Sequence, residues 1–492
     1  MNGADETIGK SLENGLAGSD AILCGDRALT YGQLDSLACQ FGNGFRASGL
    51  GRGDRIVFVL KDTPEFVAAY LGAMKIGAVP VAFSTRAPAA DIDYVIQDSG
   101  CSLLMIEPDR AGEVSSSCLI ETDPAEFALD RPAELVSETM SPEDPAFWFY
   151  TSGTTGRPKA VVHSQRTIPV ADLHLKESLS VGPGDRIFTT SKMFFAFALC
   201  HSLLGALRLG ATMILHEDWP DARDIAAVVD RFRPSLFLCV PTLYRNLLQA
   251  GLAAGEGFGC VRYFVSAGEK LPALLLDGWQ QATGSPILEG IGTSESACLF
   301  IANTPNDVCP GGTGRPLPWA DVRLVDDDGD PVSTPDTLGH LQLRMKSLFR
   351  EYWGLPELTA AAFRGDWNQT GDMFAFDADG HWFHHGRADD MMKISGQWVS
   401  PAEIEDCVQA CPSVADAAVA GVSGPEGLVE PVVFVVPADS ETSAHDVERE
   451  VTRMIDAGLP GFKRPRRVVV ADVIPRTATG KVQRFKLREQ AS

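Results

Sequence analysis

The chain lacks the features of a membrane protein or a secreted protein. It contains no run of 18 apolar residues, and its most apolar stretch, 68–83, is interrupted by Lys75, Gly77 and Pro80. We therefore expect a buried helix and strand there, not a membrane span. The first residues, MNGADETIGKSLENG, have no basic segment followed by an apolar core, which predicts no secretory signal.

Positive charge is scarce, and closely spaced cysteine pairs are missing. Lys and Arg total 42 against 65 Asp and Glu, which gives a net charge of −23 and excludes nucleic acid and anionic membranes as general partners. The eleven cysteines include no CxxC pair, and the nearest two, Cys407 and Cys411, lie on a predicted helix. This usage favours a reduced, cytoplasmic protein.

The chain does contain enough apolar residues for a large core. Its 492 residues are 45% hydrophobic, which is typical of a globular protein with two to four domains. Residues 56–60 predict a buried strand, Thr63 and Pro64 begin a helix that runs to about residue 76, and residues 79–83 predict the next strand. The same alternation recurs at 186–190, 195–209, 211–215, 225–232 and 236–240. It predicts an α/β fold with parallel, doubly wound sheets.

The pattern changes after about residue 310, where short strands at 322–330 and 341–345 predict a β-rich subdomain. Ser400, Pro401 and Glu403 have the spacing of a capping box, and the helix that follows carries apolar residues on one face: Ile404, Cys407, Val408 and Cys411. Strands are predicted at 432–436 and 467–470. We therefore expect a small α+β C-terminal domain that begins near Arg387.

A loop suited to phosphate follows a predicted strand at 146–150. The segment TSGTTGRPK, 151–159, combines glycines, hydroxyls and a lysine, which can approach, hydrogen-bond and neutralise a triphosphate. Its spacing is not that of the Walker motif. The alternative interpretation is a solvated hairpin turn.

Two acidic motifs accompany this loop. QTGD, 369–372, places Asp372 at a predicted turn, where a carboxylate can accept both hydroxyls of a ribose; the alternative is an aspartate that only closes the turn. EGIGTSE, 289–295, places Glu295 after a glycine-rich turn, as a magnesium ligand beside phosphates or, alternatively, as an acidic residue at a helix N-terminus.

The C-terminal region reverses the charge of the chain. PRTATGK, 475–481, places Lys481 after a glycine, and residues 463–488 hold nine Lys or Arg and one acid, Asp472. The segment is interpreted either as a solvated basic face or as a landing site for a polyanion.

Together these motifs resemble the adenylate-forming superfamily of acyl-CoA synthetases, adenylation domains and luciferases. The phosphate loop, IGTSE, QTGD, GRADDMMKISG (386–396) and PRTATGK stand in the family's order and spacing. The segments SKMFFAF (191–197), SAGEKLP (266–272), KISGQWVSPAEIE (393–405) and VQRFKLRE (482–489) are more similar still to benzoate–CoA and other aryl–CoA ligases. The resemblance covers residues 140–489 well and the first 140 only in general layout.

The resemblance implies a two-step ligase that uses ATP, Mg²⁺ and CoA, with an N-terminal domain at 1–386, a hinge at 387–389 around Asp389, and a mobile C-terminal lid domain at 390–492. Glu295 would bind Mg²⁺, Ser294 would contact the α-phosphate, and Lys481 would bridge the acid and the α-phosphate. The remaining ATP-binding residues would be Thr151, Ser152, Gly153, Thr154, Thr155, Gly156, Lys159, Gly268, Glu269, Glu289, Gly290, Ile291, Gly292, Asp372 and Arg387. Lys393, Ser395, Gly396 and Trp398 would border the pantetheine of CoA.

The same resemblance places the acid pocket at Ala196, Phe197, Ala267, Gly290 and Cys298. Benzoate ligases usually have Tyr at the Phe197 position and His at the Cys298 position, so we expect a roomier, more apolar pocket and a cyclic or aromatic acid larger or more hydrophobic than benzoate. Two alternatives remain at this point: an acyl-AMP ligase that loads a carrier protein, and a nucleotide-binding regulator without catalysis. Neither a metal site at His381, His384 and His385 nor a hydrolase built on Ser152 and His163 is predicted.

Overall fold

The computed structural model describes residues 1–115, 118–152, 157–394, 397–423, 429–439, 442–476 and 482–491. These residues form two compact units, one from residues 1–321 and 343–368 and the other from residues 322–342 and 369–492. The predicted boundary at 387–389 lies inside the second unit. The hinge at Asp389 stays a prediction.

The first unit contains two sheets with parallel central strands, so the predicted α/β class is confirmed. The larger sheet has six parallel strands in its middle and antiparallel strands at both edges. Its spatial order is Arg315–Pro316, Leu299–Ala302, Ile287–Gly292, Tyr263–Ser266, Leu236–Cys239, Arg186–Thr189, Thr212–Leu215, Asp20–Cys24 and Arg27–Thr30. The second sheet has the order Glu351–Tyr352, Pro158–Ser164, Pro145–Ser152, Val79–Ala82, Arg55–Val59, Leu103–Ile106 and Leu119–Glu121.

Helices connect these strands, and one begins as the sequence predicts. The hydroxyl of Thr63 accepts a hydrogen bond from the backbone of Phe66 and caps Pro64–Lys75. The other α-helices are Lys10–Glu13, Tyr31–Ala47, Ala89–Ser99, Pro124–Ala128, Ala196–Ala198, Ala222–Phe232, Pro241–Gln249, Ala273–Thr283 and Pro356–Ala361. The π-helices are Asp5–Gly9, His174–Ser178 and Leu199–Ala206, and the 3₁₀ helices are Ala111–Glu113, Gln165–Val170 and Glu256–Cys260.

The second unit is rich in antiparallel strands. Pro331–Val332 pairs with Ala320–Val325, and Trp382–Arg387 pairs with Trp367–Phe376. Its other strands are Gly339–Met345, Met392–Ile394, Gln397–Val399, Val414–Ser423, Val429–Pro437 and Arg467–Val470, and its helices are Ala388–Asp390, Pro401–Gln409, Ala444–Gly458, Gly461–Lys463 and Arg484–Ala491. Phe363–Arg364 is a short strand of the first unit.

Two local predictions are wrong for identifiable reasons. Pro401 does begin a helix, but no capping box forms: the Ser400 hydroxyl donates to the carbonyl of His385, and the Glu403 carboxylate pairs with Lys463 at 2.6 Å. The QTGD motif lies within the strand Trp367–Phe376 instead of at a turn between elements. Gly371 has a φ of +75° inside that strand, which accounts for its turn-like sequence.

Candidate active site

The predicted phosphate loop joins two antiparallel strands. Thr151 and Ser152 end the strand Pro145–Ser152, and Lys159 pairs with Thr151 across the hairpin. Residues Gly153, Thr154, Thr155 and Gly156 lie outside the described residues. The Lys159 ammonium lies 4.5 Å from the centre of the Tyr352 ring, within the range of a cation–π interaction.

The segment that carries Ser294 and Glu295 is a tight turn between the strands Ile287–Gly292 and Leu299–Ala302, and no helix begins there. Tyr352 donates from its hydroxyl to Oε1 of Glu295 at 2.7 Å, and the backbone carbonyl of Glu295 accepts from Phe349 N at 2.8 Å. The first bond fixes one carboxylate oxygen, and the second fixes the backbone of Glu295. A single carboxylate of this kind, completed by phosphate oxygens, is a donor set that Mg²⁺ accepts.

His163 is a further residue at this turn whose position the sequence did not reveal. Its Nε2 lies 2.8 Å from the backbone carbonyl of Ser294, and its ring stacks on Phe147 with centroids 5.1 Å apart. Burial lowers the pKa of His163 to about 4, and the hydrogen bond to Ser294 only partly opposes that effect. A neutral imidazole with its proton on Nε2 therefore holds the turn.

Several of the predicted ATP-binding residues lie at the carboxyl ends of two adjacent parallel strands, Tyr263–Ser266 and Ile287–Gly292. Ser266 pairs with Glu289 across the sheet, so Gly268 and Glu269 emerge beside Gly290, Ile291 and Gly292. The Glu289 carboxylate accepts from the backbone of Leu271 at 3.3 Å, and Glu269 accepts from Thr242 at 2.9 Å. The carboxyl ends of adjacent parallel strands are the usual position of a nucleotide site in such sheets.

A small apolar cluster lies next to these residues, and it contains part of the predicted acid pocket. Ala267 is buried there with Leu299, Ala302 and Leu317, and Phe197 and Trp319 pack against it. A side chain at Gly290 would approach Leu299 and Ala302 at 2.9 and 3.1 Å, so this glycine leaves room for the cluster. Ala196 begins the short helix that carries Phe197.

Near Phe197 lie polar side chains that the sequence did not predict as part of the site. The His201 ring contacts the Phe197 ring edge to face with centroids 5.0 Å apart, and its Nε2 lies 3.3 Å from Nδ1 of His174. Burial lowers the pKa of His201 to about 4 and that of His174 to about 3. The neighbouring thiol of Cys298, together with burial, raises the pKa of Cys200.

The predicted ribose-binding pair is assembled within the second unit. Oδ1 of Asp372 lies 3.3 Å from both Nη1 of Arg387 and Nε2 of His384, whereas its buried Oδ2 has no partner among the described residues. Burial raises the pKa of Asp372, but Arg387 and His384 outweigh it and keep the pKa below its usual value. An ionised carboxylate with one unused buried oxygen is a suitable acceptor for a ribose hydroxyl. A Cβ at Gly371 would lie 2.6 Å from the Arg387 guanidinium, and the φ of +75° at this position also favours glycine.

The residues assigned to the lid are only partly described. Lys393 lies opposite Trp398 on paired strands, with its ammonium 5.1 Å from the ring centre, and Asp389 belongs to the 3₁₀ turn Ala388–Asp390. Lys481, Ser395 and Gly396 lie outside the described residues.

Much of the basic segment is compensated within the second unit. Salt bridges connect Lys463 to Glu403, Arg464 to Asp456, Arg476 to Asp416, Arg484 to Glu405 and Arg488 to Asp390. The binding site for a polyanion stays a prediction. The segment 463–488 has less uncompensated positive charge than the sequence suggested.

Within the described part of the chain, no helix is long and apolar enough to cross a bilayer. The same residues contain no cluster of three or more His, Cys, Asp or Glu side chains arranged for a metal ion. A Mg²⁺ held by one carboxylate and by phosphate oxygens needs no such cluster.

Known proteins resemble the chain over nearly its full length. A family described as AMP-binding enzyme matches residues 14–353, and one described as AMP-binding enzyme C-terminal domain matches residues 403–481. A 3-hydroxybenzoate–CoA ligase of Aromatoleum sp. (strain CIB) is 49% identical, covering 99% of this chain and 97% of the relative. A 3-hydroxybenzoate–CoA/4-hydroxybenzoate–CoA ligase of Thauera aromatica is 45% identical with the same coverage.

Solved structures agree with this assignment. A benzoate CoA ligase from Burkholderia xenovorans LB400 has a TM-score of 0.90 and 32% identity, covering 99% of this chain and all of the other. The anthranilate CoA ligase AuaEII, in complex with anthranoyl-AMP, has a TM-score of 0.92 and 30% identity, covering 100% and 97% of the two chains. The resemblance inferred from the motifs is thereby confirmed: the chain belongs to the adenylate-forming family of AMP-binding enzymes and to its aryl–CoA ligase subgroup.

Proposed function

We propose that this protein is an AMP-forming CoA ligase for a monohydroxylated benzoate, with 3-hydroxybenzoate as its preferred acid. The observation that carries the proposal is the 49% identity, over 99% of the chain, to a relative named for that substrate. The relative at 45% identity is named for the 3-hydroxy and 4-hydroxy acids.

The first step forms the acyl-adenylate. The acid's carboxylate oxygen attacks the α-phosphorus of ATP, the bond to the β,γ-diphosphate breaks, and pyrophosphate leaves. Charge accumulates on the α-phosphate, where Ser294 and Lys481 are proposed to act. Mg²⁺ held by Glu295 would supply further charge neutralisation, and Asp372 and Arg387 would orient the ribose.

The second step forms the thioester. The thiol of CoA, as thiolate, attacks the acyl carbon, and AMP leaves with the electron pair of the acyl–phosphate bond. Lys393, Ser395, Gly396 and Trp398 are proposed to guide the pantetheine arm in this step, after a rotation about Asp389.

The residues that line the apolar cluster favour a benzoate whose ring carries a substituent. Ala267 is small, and Cys298 is smaller than the histidine usual at its position in benzoate ligases, so we expect more space than a benzoate-shaped pocket provides. A ring hydroxyl adds volume and one polar group, for which the thiol of Cys298 is a weak polar partner. We therefore keep the expectation of an acid larger than benzoate and assign the added group as a hydroxyl.

The alternative acceptor, a phosphopantetheinyl carrier protein, has no support among the relatives at 45–49% identity, because both are named as CoA ligases. The names of these two relatives also argue against the hypothesis of a nucleotide-binding regulator without catalysis.

A screen of acids for pyrophosphate release tests the proposal. The panel contains 3-hydroxybenzoate, 4-hydroxybenzoate, benzoate, cyclohexanecarboxylate and acetate, each assayed with CoA and with a pantetheinylated carrier protein. We expect 3-hydroxybenzoate to give the highest kcat/KM, and CoA to be the acceptor. A maximum with benzoate, acetate or cyclohexanecarboxylate, or transfer to the carrier protein alone, would contradict the proposal.

A further inference from the structure

The segment 347–353 clamps the turn that carries Glu295. The Ser347 hydroxyl donates to the carbonyl of Ser296 at 2.7 Å, and Phe349 N donates to the carbonyl of Glu295 at 2.8 Å. The hydroxyl of Tyr352 donates to Oε1 of the Glu295 carboxylate at 2.7 Å. Backbone and side chain of Glu295 are therefore both held from one segment.

The other side of the same segment is joined to the strand that follows the phosphate loop. Tyr352 pairs with Val161, and the ring of Tyr352 faces the Lys159 ammonium at 4.5 Å. Tyr352 is only 7% exposed, so its hydroxyl and ring have little freedom to turn away. One side chain thus contacts both an acidic group and a basic group of the proposed triphosphate site.

We propose that Tyr352 is a positioning residue that presents Glu295 to the metal and aligns Lys159 with the phosphates. A carboxylate that accepts a hydrogen bond on Oε1 cannot rotate freely, which directs Oε2 toward a ligand. Groups that orient a ligating carboxylate in this way typically change metal affinity about 10- to 100-fold when they are removed. The inference rests on the assignment of Glu295 under the proposed function, but it does not depend on which acid the enzyme uses.

Two substitutions separate the hydroxyl from the ring. Tyr352→Phe removes the bond to Glu295 and keeps the aromatic face for Lys159, whereas Tyr352→Leu removes both. Calorimetry on the full chain, without acid and CoA, gives the Kd of ATP with Mg²⁺ and with EDTA. The ratio of the two constants measures how much the metal contributes to binding.

We expect Tyr352→Phe to reduce this ratio about 10-fold and to leave the Kd in EDTA unchanged. Tyr352→Leu should reduce the ratio similarly and also weaken binding in EDTA, because Lys159 loses its ring. The matched control is Tyr94→Phe: Tyr94 donates to Asp98 at 3.3 Å and has Arg157 over its ring, so it has the same kinds of contact without Glu295. This control should leave the ratio unchanged.

A double-mutant cycle with Glu295→Gln distinguishes the possible failures. Glu295→Gln alone should reduce the ratio, and adding Tyr352→Phe should reduce it little further, because both changes act on one carboxylate. If Glu295→Gln leaves the ratio intact, the assignment of Glu295 is wrong and this inference falls with it. If Glu295→Gln reduces the ratio but Tyr352→Phe does not, or if the two losses are fully additive, only the role of Tyr352 is refuted.

Discussion

Acidification should weaken the fold through His163, whose ring is buried against Phe147 and bonded to the carbonyl of Ser294. Burial lowers the pKa of His163 from 6.5 to about 4 in the folded chain. A histidine whose folded pKa is lowered stabilises the fold above its unfolded pKa. That contribution is lost as the pH falls from about 6.5 toward 4, because the unfolded chain binds the proton first.

The size of the effect follows from the two pKa values. Between about pH 6 and 4.5 the histidine contributes about 1.4 kcal/mol per pH unit, and by pH 5 about 2 kcal/mol of its stabilisation is lost. Other buried groups titrate as well. Burial lowers the pKa of His174 and of His201, which act in the same direction as His163, and it raises the pKa of Asp62 and of Asp172, which act in the opposite direction. The informative quantity is therefore the difference in slope between the wild type and a variant that lacks only this histidine.

Urea unfolding of the wild type and of His163→Phe, at pH values from 4.5 to 8, measures that difference. The phenylalanine keeps the stacked ring, and its slope of unfolding free energy against pH should be about 1.4 kcal/mol per pH unit smaller below pH 6. At pH 7.5 the variant should be about 1–3 kcal/mol less stable, because the Ser294 carbonyl loses a buried donor. His445→Gln, at an exposed position, is the control. Equal slopes for His163→Phe and the wild type would refute the reasoning.

Three further predictions concern the chemistry. Lys481→Ala should lose about 10²–10³-fold in acyl-adenylate formation yet convert supplied acyl-AMP to thioester, because only the first step needs this charge at the α-phosphate; equal loss in both steps contradicts its role. Asp389→Pro should leave adenylation nearly normal and impair thioester formation, because proline fixes φ near −65° at the proposed hinge; unaffected thioester formation argues against a hinge there. Cys298→His should shrink the acid pocket and raise kcat/KM for benzoate relative to 3-hydroxybenzoate, and an unchanged ratio would place Cys298 outside the pocket.

The repeating strands and helices of the first unit were predictable because each has a strong local pattern. The helix Pro64–Lys75 has both its cap and its first-turn proline in the sequence, and the strand Arg55–Val59 is a continuous apolar run after Arg55. The capping box at Ser400 had an equally clear pattern, yet it does not form. Its two side chains bond instead to His385 and Lys463, which are distant in the chain, and no local signal reports such competition.

The candidate site also contains residues that the sequence could predict and residues that it could not. Asp372, Arg387, Glu295 and Lys159 could be proposed as site residues from motifs, since their spacing is distinctive. His163 and Tyr352 were not, because each acts through a contact across more than 50 residues: His163 reaches Ser294, and Tyr352 reaches Glu295. The strand after the phosphate loop and the segment 347–353 had no chemistry-bearing pattern of their own, so only the folded chain reveals their contacts with the Ser294–Glu295 turn.

The two-step reaction through an acyl-adenylate is tested most directly by rapid quench. The enzyme at stoichiometric concentration is mixed with MgATP and labelled 3-hydroxybenzoate without CoA, and the products are separated after defined times. The account predicts that up to one equivalent of 3-hydroxybenzoyl-AMP accumulates with pyrophosphate, and that added CoA converts it to the thioester and AMP. Formation of ADP, or of thioester with no adenylate that precedes it, would contradict the account.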